Sequence, residues 1–302
     1  MVIDQLIDGI KGKKNPCIVG IDPEWDKLPD CYKTGASAQT EGILSWAADV
    51  INAVADIVPA IKPQMAFFEV FGPEGVRIHQ QVVQYAHEKG LIVVDDSKRN
   101  DIGNTARAYA YAHLAKGGPI NADLMTVSPF LGTDSIQPFI DTAVKDGKGI
   151  FILVKTSNPS SAEISEAKNT QGEKLRDWLA EYIHTAGRNH VGTYGYSGIG
   201  AVVGATFPEE AKALRKIMQN NFFLVPGFGA QGGGAKDIIP CFNSDGLGAV
   251  VSSSRGILYK HLELPEFDNR KGSYLDIVRK QATKMQQEVY NELKNNFVGM
   301  EY

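Results

Sequence analysis

The sequence predicts a closed (β/α)8 TIM barrel formed as a single domain over residues 1–302. Eight short β-branched runs recur along the chain, and stretches of helical periodicity such as PEGVRIHQQVVQYAHEKG and EEAKALRKIMQN stand between them. Each run ends in a polar or charged residue followed by Gly, Pro, Ser or Asn. Strands this apolar are buried on both faces, as parallel strands sheathed in helices are. An open, doubly wound sheet shares the alternation. Its GxGxxG fingerprint is missing, however, from the end of the first run, where ID-PEWDKLP stands.

In chain order the expected strands are residues 17–22 (CIVGID), 59–64 (PAIKPQ), 91–98 (LIVVDDSK), 124–129 (LMTVSP), 149–156 (GIFILVKT), 198–205 (GIGAVVGA), 222–228 (FFLVPGF) and 248–254 (GAVVSSS). Residues 157–198 exceed a minimal βα connection and contain a helical RDWLAEYIHTAGRNH, so they read as an insertion near the barrel mouth. In the tail, Leu275, Val278, Met285, Val289 and Leu293 form one apolar stripe, which predicts the last outer helix.

Composition narrows the function. With 43% hydrophobic and 22% charged residues the chain is an ordinary globular protein, and a net charge of -4 argues against a nucleic-acid platform. Cys17, Cys31 and Cys241 show no CxxC spacing, so neither a zinc site nor a disulfide framework is expected, and a reducing cytoplasm suits them. Asp4 and Asp8 interrupt the start, unlike a secretory signal, and no apolar run reaches membrane-span length.

Barrel enzymes carry their chemistry at the carboxyl ends of the strands. Asp22 ends the first run, Lys62 lies on the second, Asp96 and Lys98 on the third, and the eighth runs into Arg255. Alternation puts Asp96 and Lys98 on one face. Asp101 then opens DIGNTARAYAYAHLAK, a helical stretch for which it is a candidate N-cap. Taken singly, Lys62 reads as a strand-end lysine reaching water and Asp22 as a turn residue before Pro23. After the seventh run, PGFGAQGGG offers backbone N–H groups to an anion, and Arg255 offers a planar fork matched to phosphate oxygens.

These residues resemble the orotidine 5′-phosphate decarboxylase family over nearly the whole barrel, in its longer bacterial-type branch. Asp96-Ser97-Lys98-Arg99-Asn100-Asp101-Ile102-Gly103-Asn104-Thr105 is similar to the DxKxxDI(G/P)NT signature, with Arg99-Asn100 replacing a usual small or apolar pair. The resemblance implies decarboxylation of orotidine 5′-phosphate to uridine 5′-phosphate, with Lys98 donating the proton. Asp96, Asp101 and Lys62 would complete a charged tetrad and Asp22 would contact the ribose. Ser157, in Thr156-Ser157-Asn158-Pro159, would read the pyrimidine edge. Pro226, Gln231 and Arg255 would hold phosphate, with Gln231 bridging to the base, and Ser254 stands where glycine usually precedes the arginine. It further implies a homodimer in which Asp101 and Thr105 enter the neighbouring site, and no metal or organic cofactor. Two rivals remain at this point: a metal-dependent sugar-phosphate aldolase or decarboxylase on the same barrel, and a non-catalytic nucleotide-binding protein.

Overall fold

The eight apolar runs become eight strands: β1 (Cys17–Ile21), β2 (Ala60–Pro63), β3 (Ile92–Arg99), β4 (Leu124–Val127), β5 (Gly149–Lys155), β6 (Ser197–Val203), β7 (Asn221–Val225) and β8 (Ala249–Ser253). Each pairs in parallel with its neighbour in sequence, and β8 closes onto β1 through Cys17↔Val251 and Val19↔Ser253. The expected (β/α)8 barrel is therefore the fold, seen here in a computed structural model that describes residues 1–34, 38–229, 233–298, 300 and 302.

The helices are α1 (Val2–Lys13), α2 (Gln39–Val54), α3 (Met65–Glu69), α4 (Gly72–Glu88), α5 (Gly103–His113), α6 (Thr133–Asp146), α7 (Ser161–Ser165), α8 (Leu175–Gly187), α9 (Pro208–Ile217), α10 (Arg255–Leu258) and α11 (Lys271–Asn296). Their apolar stripes face the sheet. In α4 these are Ile78, Val82, Val83 and Ala86; in α11 they are Tyr274, Val278, Ala282, Met285, Val289 and Leu293. Trp46 of α2 donates its indole N–H to the Tyr274 hydroxyl at 2.7 Å, which joins the first outer helix to the last. The 157–198 insertion folds as α7 and α8, and the Arg176 guanidinium ties it together by pairing with Glu166 and Asp177. No helix among the described residues is long and apolar enough to cross a membrane.

Strand alternation sorts the barrel interior into layers. Ile18, Ala60, Val94, Leu124, Phe151, Phe222 and Val250 form one buried cluster with Val2, Ile3, Leu6, Ile7 and Ile10 of α1. Thus α1 plugs the amino end of the barrel, each such aliphatic side chain contributing roughly 1.5–3 kcal/mol on burial. Two residues further along the strands the same inward face changes character, to Gly20, Lys62, Asp96, Thr126, Leu153, Leu224 and Ser252. All of these but Gly20 line an open cavity of about 610 Å³. A Cβ on Gly20 would lie 1.8 Å from the Ser254 hydroxyl, so only glycine lets β8's end approach β1 here.

Candidate active site

The cavity at the carboxyl end of the barrel is lined by Asp22, Lys62, Asp96, Lys98, Thr156, Ser157, Pro226 and Arg255, together with apolar Leu153, Val202, Leu224 and Phe228. Its size suits a nucleotide-scale ligand. The sequence-selected residues are thereby gathered into one site, with three exceptions. Asp101 and Thr105 do not line it, and Gln231 lies outside the described residues.

Asp96 is the centre of the arrangement. Its Oδ2 accepts Lys62 Nζ at 2.6 Å and Gln64 Nε2 at 2.9 Å, while its Oδ1 accepts Lys98 Nζ at 2.5 Å and the Thr126 hydroxyl at 2.9 Å. Burial alone would raise this carboxyl, but the adjacent charges of Lys62 and Lys98 and their hydrogen bonds outweigh it and hold Asp96 at about 2. Burial likewise disfavours the Lys62 charge and is overcome by Asp96 and Asp22, so the Lys62 ammonium is held more firmly than an ordinary lysine. Lys62 is therefore no strand-end lysine reaching water; it is 6% exposed. Lys98 differs, with 44% of its side chain exposed, so its ammonium faces the open cavity while remaining tied to Asp96.

Lys98 reaches this position through an irregular strand. The β3–β4 pairing runs Asp95↔Met125 and resumes at Arg99↔Val127, so residues 96–98 stand opposite Thr126 alone. Lys98 takes a left-handed φ of 47°, and its backbone N–H is accepted by the Thr126 hydroxyl at 2.9 Å. Simple alternation predicts the right face for Asp96. The bulge brings Lys98 to the same carboxylate.

Asp22 has the opposite environment. Burial pushes its carboxyl up, and the attractions of Lys62 and the Ser254 hydrogen bond do not fully compensate. Asp22 lines the cavity, and its Oδ1 is buried without a hydrogen-bond partner. The Tyr259 hydroxyl holds the following turn by donating to the Asp22 carbonyl and accepting the Glu24 N–H at 2.8 Å.

Asp101 is not the N-cap of α5. Ile102 occupies that position, and Asp101 Oδ1 accepts the Ile102 N–H at 2.8 Å. Sequence reasoning also missed Gln64 and Thr126. Both stand on the inward parity of their strands, Gln64 two residues after Lys62 and Thr126 two after Leu124, and that parity is the signal that could have found them.

A parallel barrel with a charged cluster, an open apolar wall and an arginine at the end of β8 defines a barrel enzyme that handles an anionic small molecule. Residues 16–262 match the model of the Orotidine 5′-phosphate decarboxylase / HUMPS family. An orotidine 5′-phosphate decarboxylase of Rhodopirellula baltica is 42% identical over 80% of this chain and 83% of that protein. One from Clostridium perfringens is 36% identical over 96% and 98%. A crystal structure from Streptomyces avermitilis superposes with a TM-score of 0.81 at 33% identity, covering 96% of this chain and 95% of the other. The Leishmania donovani OMP decarboxylase structure gives 0.73 at 29% identity, over 97% and 98%. The chain belongs to the orotidine 5′-phosphate decarboxylase / HUMPS family.

Proposed function

We propose that this chain, whose activity is the decarboxylation of orotidine 5′-phosphate to uridine 5′-phosphate in pyrimidine biosynthesis, works through the Lys62–Asp96–Lys98 array as one domain. The observation that carries the mechanism is a single buried carboxylate shared by two ammonium groups, one sealed in and one facing the cavity.

Loss of CO₂ from C6 of the orotate ring leaves an electron pair in an orbital that cannot conjugate with the ring. Stabilisation must then be electrostatic. An ammonium about 4 Å from the developing carbanion is worth roughly 4 kcal/mol at an effective dielectric of 20, and more as water leaves. Lys98 supplies that charge and then its proton to C6. Asp96 aims the Lys98 ammonium, and Lys62 keeps Asp96 ionised. Asp22 accepts from the ribose, Ser157 reads the pyrimidine edge, and Arg255 with Pro226 and Gln231 holds the phosphate. Binding energy from the distant phosphate thereby contributes to the rate at C6.

The active form is a homodimer in the cytoplasm, with Asp101 and Thr105 completing the partner's cavity beside Lys98. Support comes from their position outside their own cavity, and from exposed Ile102, Phe130 and Leu131 on the loops after β3 and β4. The reaction uses no metal or organic cofactor, and neither nucleic acid nor membrane is a partner.

Purified protein should consume orotidine 5′-phosphate, followed by its ultraviolet change, at the same rate with and without chelator. Loss of turnover on chelation would point instead to the metal-dependent sugar-phosphate chemistry of the same barrel. Arg255→Ala should lower kcat/KM on the nucleotide by about 10²-fold and leave the slow turnover of orotidine, which lacks the phosphate, nearly unchanged. Equal losses on both substrates would remove the phosphate assignment.

A further inference from the structure

The outward face of β3 carries a second polar network that the chemistry above does not use. Asp95 is fully buried between the sheet and the helices, and His113, the last residue of α5, is 4% exposed. His113 Nδ1 lies 2.6 Å from Asp95 Oδ2, and the Arg99 Nε–H donates to His113 Nε2 at 3.2 Å. Because Arg99 can only donate, His113 Nε2 must be the bare nitrogen and Nδ1 must carry the proton given to Asp95. The imidazole is thereby fixed as one neutral tautomer. Arg99 continues to Glu69 of α3 and lies 5.6 Å from the Tyr109 ring, while His79 of α4 places Nε2 3.2 Å from the other Asp95 oxygen.

Asp95 and Arg99 are the two positions at which β3 leaves and rejoins its regular pairing with β4. One ring therefore clamps both ends of the bulge that carries Asp96 and Lys98, from the side opposite the cavity. On the inner side Thr126 holds the same bulge. A left-handed φ at a lysine persists only where its surroundings over-determine it.

We infer that His113 and Arg99 are positioning residues for decarboxylation, stapling the β3 bulge so that the Lys98 ammonium stays on the reacting carbon. The inference rests on the reading of Lys98 as the proton donor. It assigns the staple to the transition state rather than to substrate binding, because neither residue lines the cavity.

The test compares Arg99→Met, which removes one arm from a partly exposed position, with Glu69→Gln, which keeps that arm and only neutralises its outer partner. Arg99→Met should lower kcat about 10- to 100-fold while KM stays within about threefold, as expected for a misplaced catalytic group. Arg99→Lys, which still offers a donor to His113 Nε2, should recover part of the loss, and Glu69→Gln should stay near wild type. In ¹⁵N-histidine spectra of the wild-type protein, His113 Nε2 should resonate as an unprotonated ring nitrogen. Wild-type kcat in Arg99→Met, an equal loss in Glu69→Gln, or a protonated Nε2 would each overturn the staple. Lys98→Ala assayed alongside separates the two levels. An active Lys98→Ala would remove the underlying reading, whereas an inactive one beside an unaffected Arg99→Met would remove only the staple.

Discussion

Asp95 and Asp96 are adjacent on one strand, and the barrel gives them opposite work. Asp96 points inward and is shared by two lysines and two neutral donors, whereas Asp95 points outward beneath α4 and α5 and is met by histidines. Burial opposes the charge in both cases, yet both carboxyls lie below the ordinary range because their partners outweigh it. Chemistry is distinguished by what the partners can still do. The lysine on Asp96 faces an open cavity and can act on a ligand, while the imidazole on Asp95 is enclosed and can only hold the chain. Asp22 completes the contrast, since the same inward face without enough partners leaves a carboxyl raised.

Substitution at the two neighbours is the sharpest way to break this comparison. Asp96→Asn removes the charge that organises Lys62 and Lys98 and should lower kcat by about 10²–10³-fold with the fold retained. Asp95→Asn should cost about 2 kcal/mol of stability through its weakened buried hydrogen bonds while kcat falls less than about tenfold. Matching losses of rate in the two variants would erase the distinction. For Asp22→Asn we expect KM to rise about tenfold as a ribose acceptor is weakened, with little change in kcat. The same variant should be more stable at neutral pH, because a carboxyl raised by folding contributes stability only in acid and loses it as pH rises through its folded value.

Acid unfolding separates the carboxylates by sign. Asp95 and Asp96 are lowered by folding, so their contribution is complete above the ordinary carboxylate value of about 3.9 and is lost as pH falls towards about 2, the folded value of Asp96. Stability measured by denaturant titration should therefore drop over that interval in the wild type. In Asp95→Asn the drop should be shallower, and an unchanged slope would show that Asp95 is not ionised in the folded protein.

Much of this was legible in the sequence. Parallel strands buried on both faces write continuous apolar runs, so all eight strands could be placed, and period-two alternation set Asp96 and Lys98 on one face, whereas Lys62 taken singly read as a strand-end lysine reaching water. The bulge could not be read in that way, because it depends on where β4 presents Thr126. Neither could the His113 staple, whose members are separated by α5 and meet only when that helix packs back on β3. The amino-terminal segment posed a different difficulty. Nothing in the strand pattern indicated that Val2, Ile3, Leu6, Ile7 and Ile10 would plug the barrel. The reading of Asp101 as an N-cap failed because the helix begins one residue later, which leaves its carboxylate beyond its own cavity.

Turnover of orotidine 5′-phosphate by Lys98→Ala, measured together with calorimetric binding of uridine 5′-phosphate, bears most directly on the claim that an ammonium held by Asp96 protonates C6. The account predicts a rate at least about 10³-fold below wild type with nucleotide binding preserved. A variant that still decarboxylates within about tenfold of wild type would place the proton donor elsewhere and contradict it.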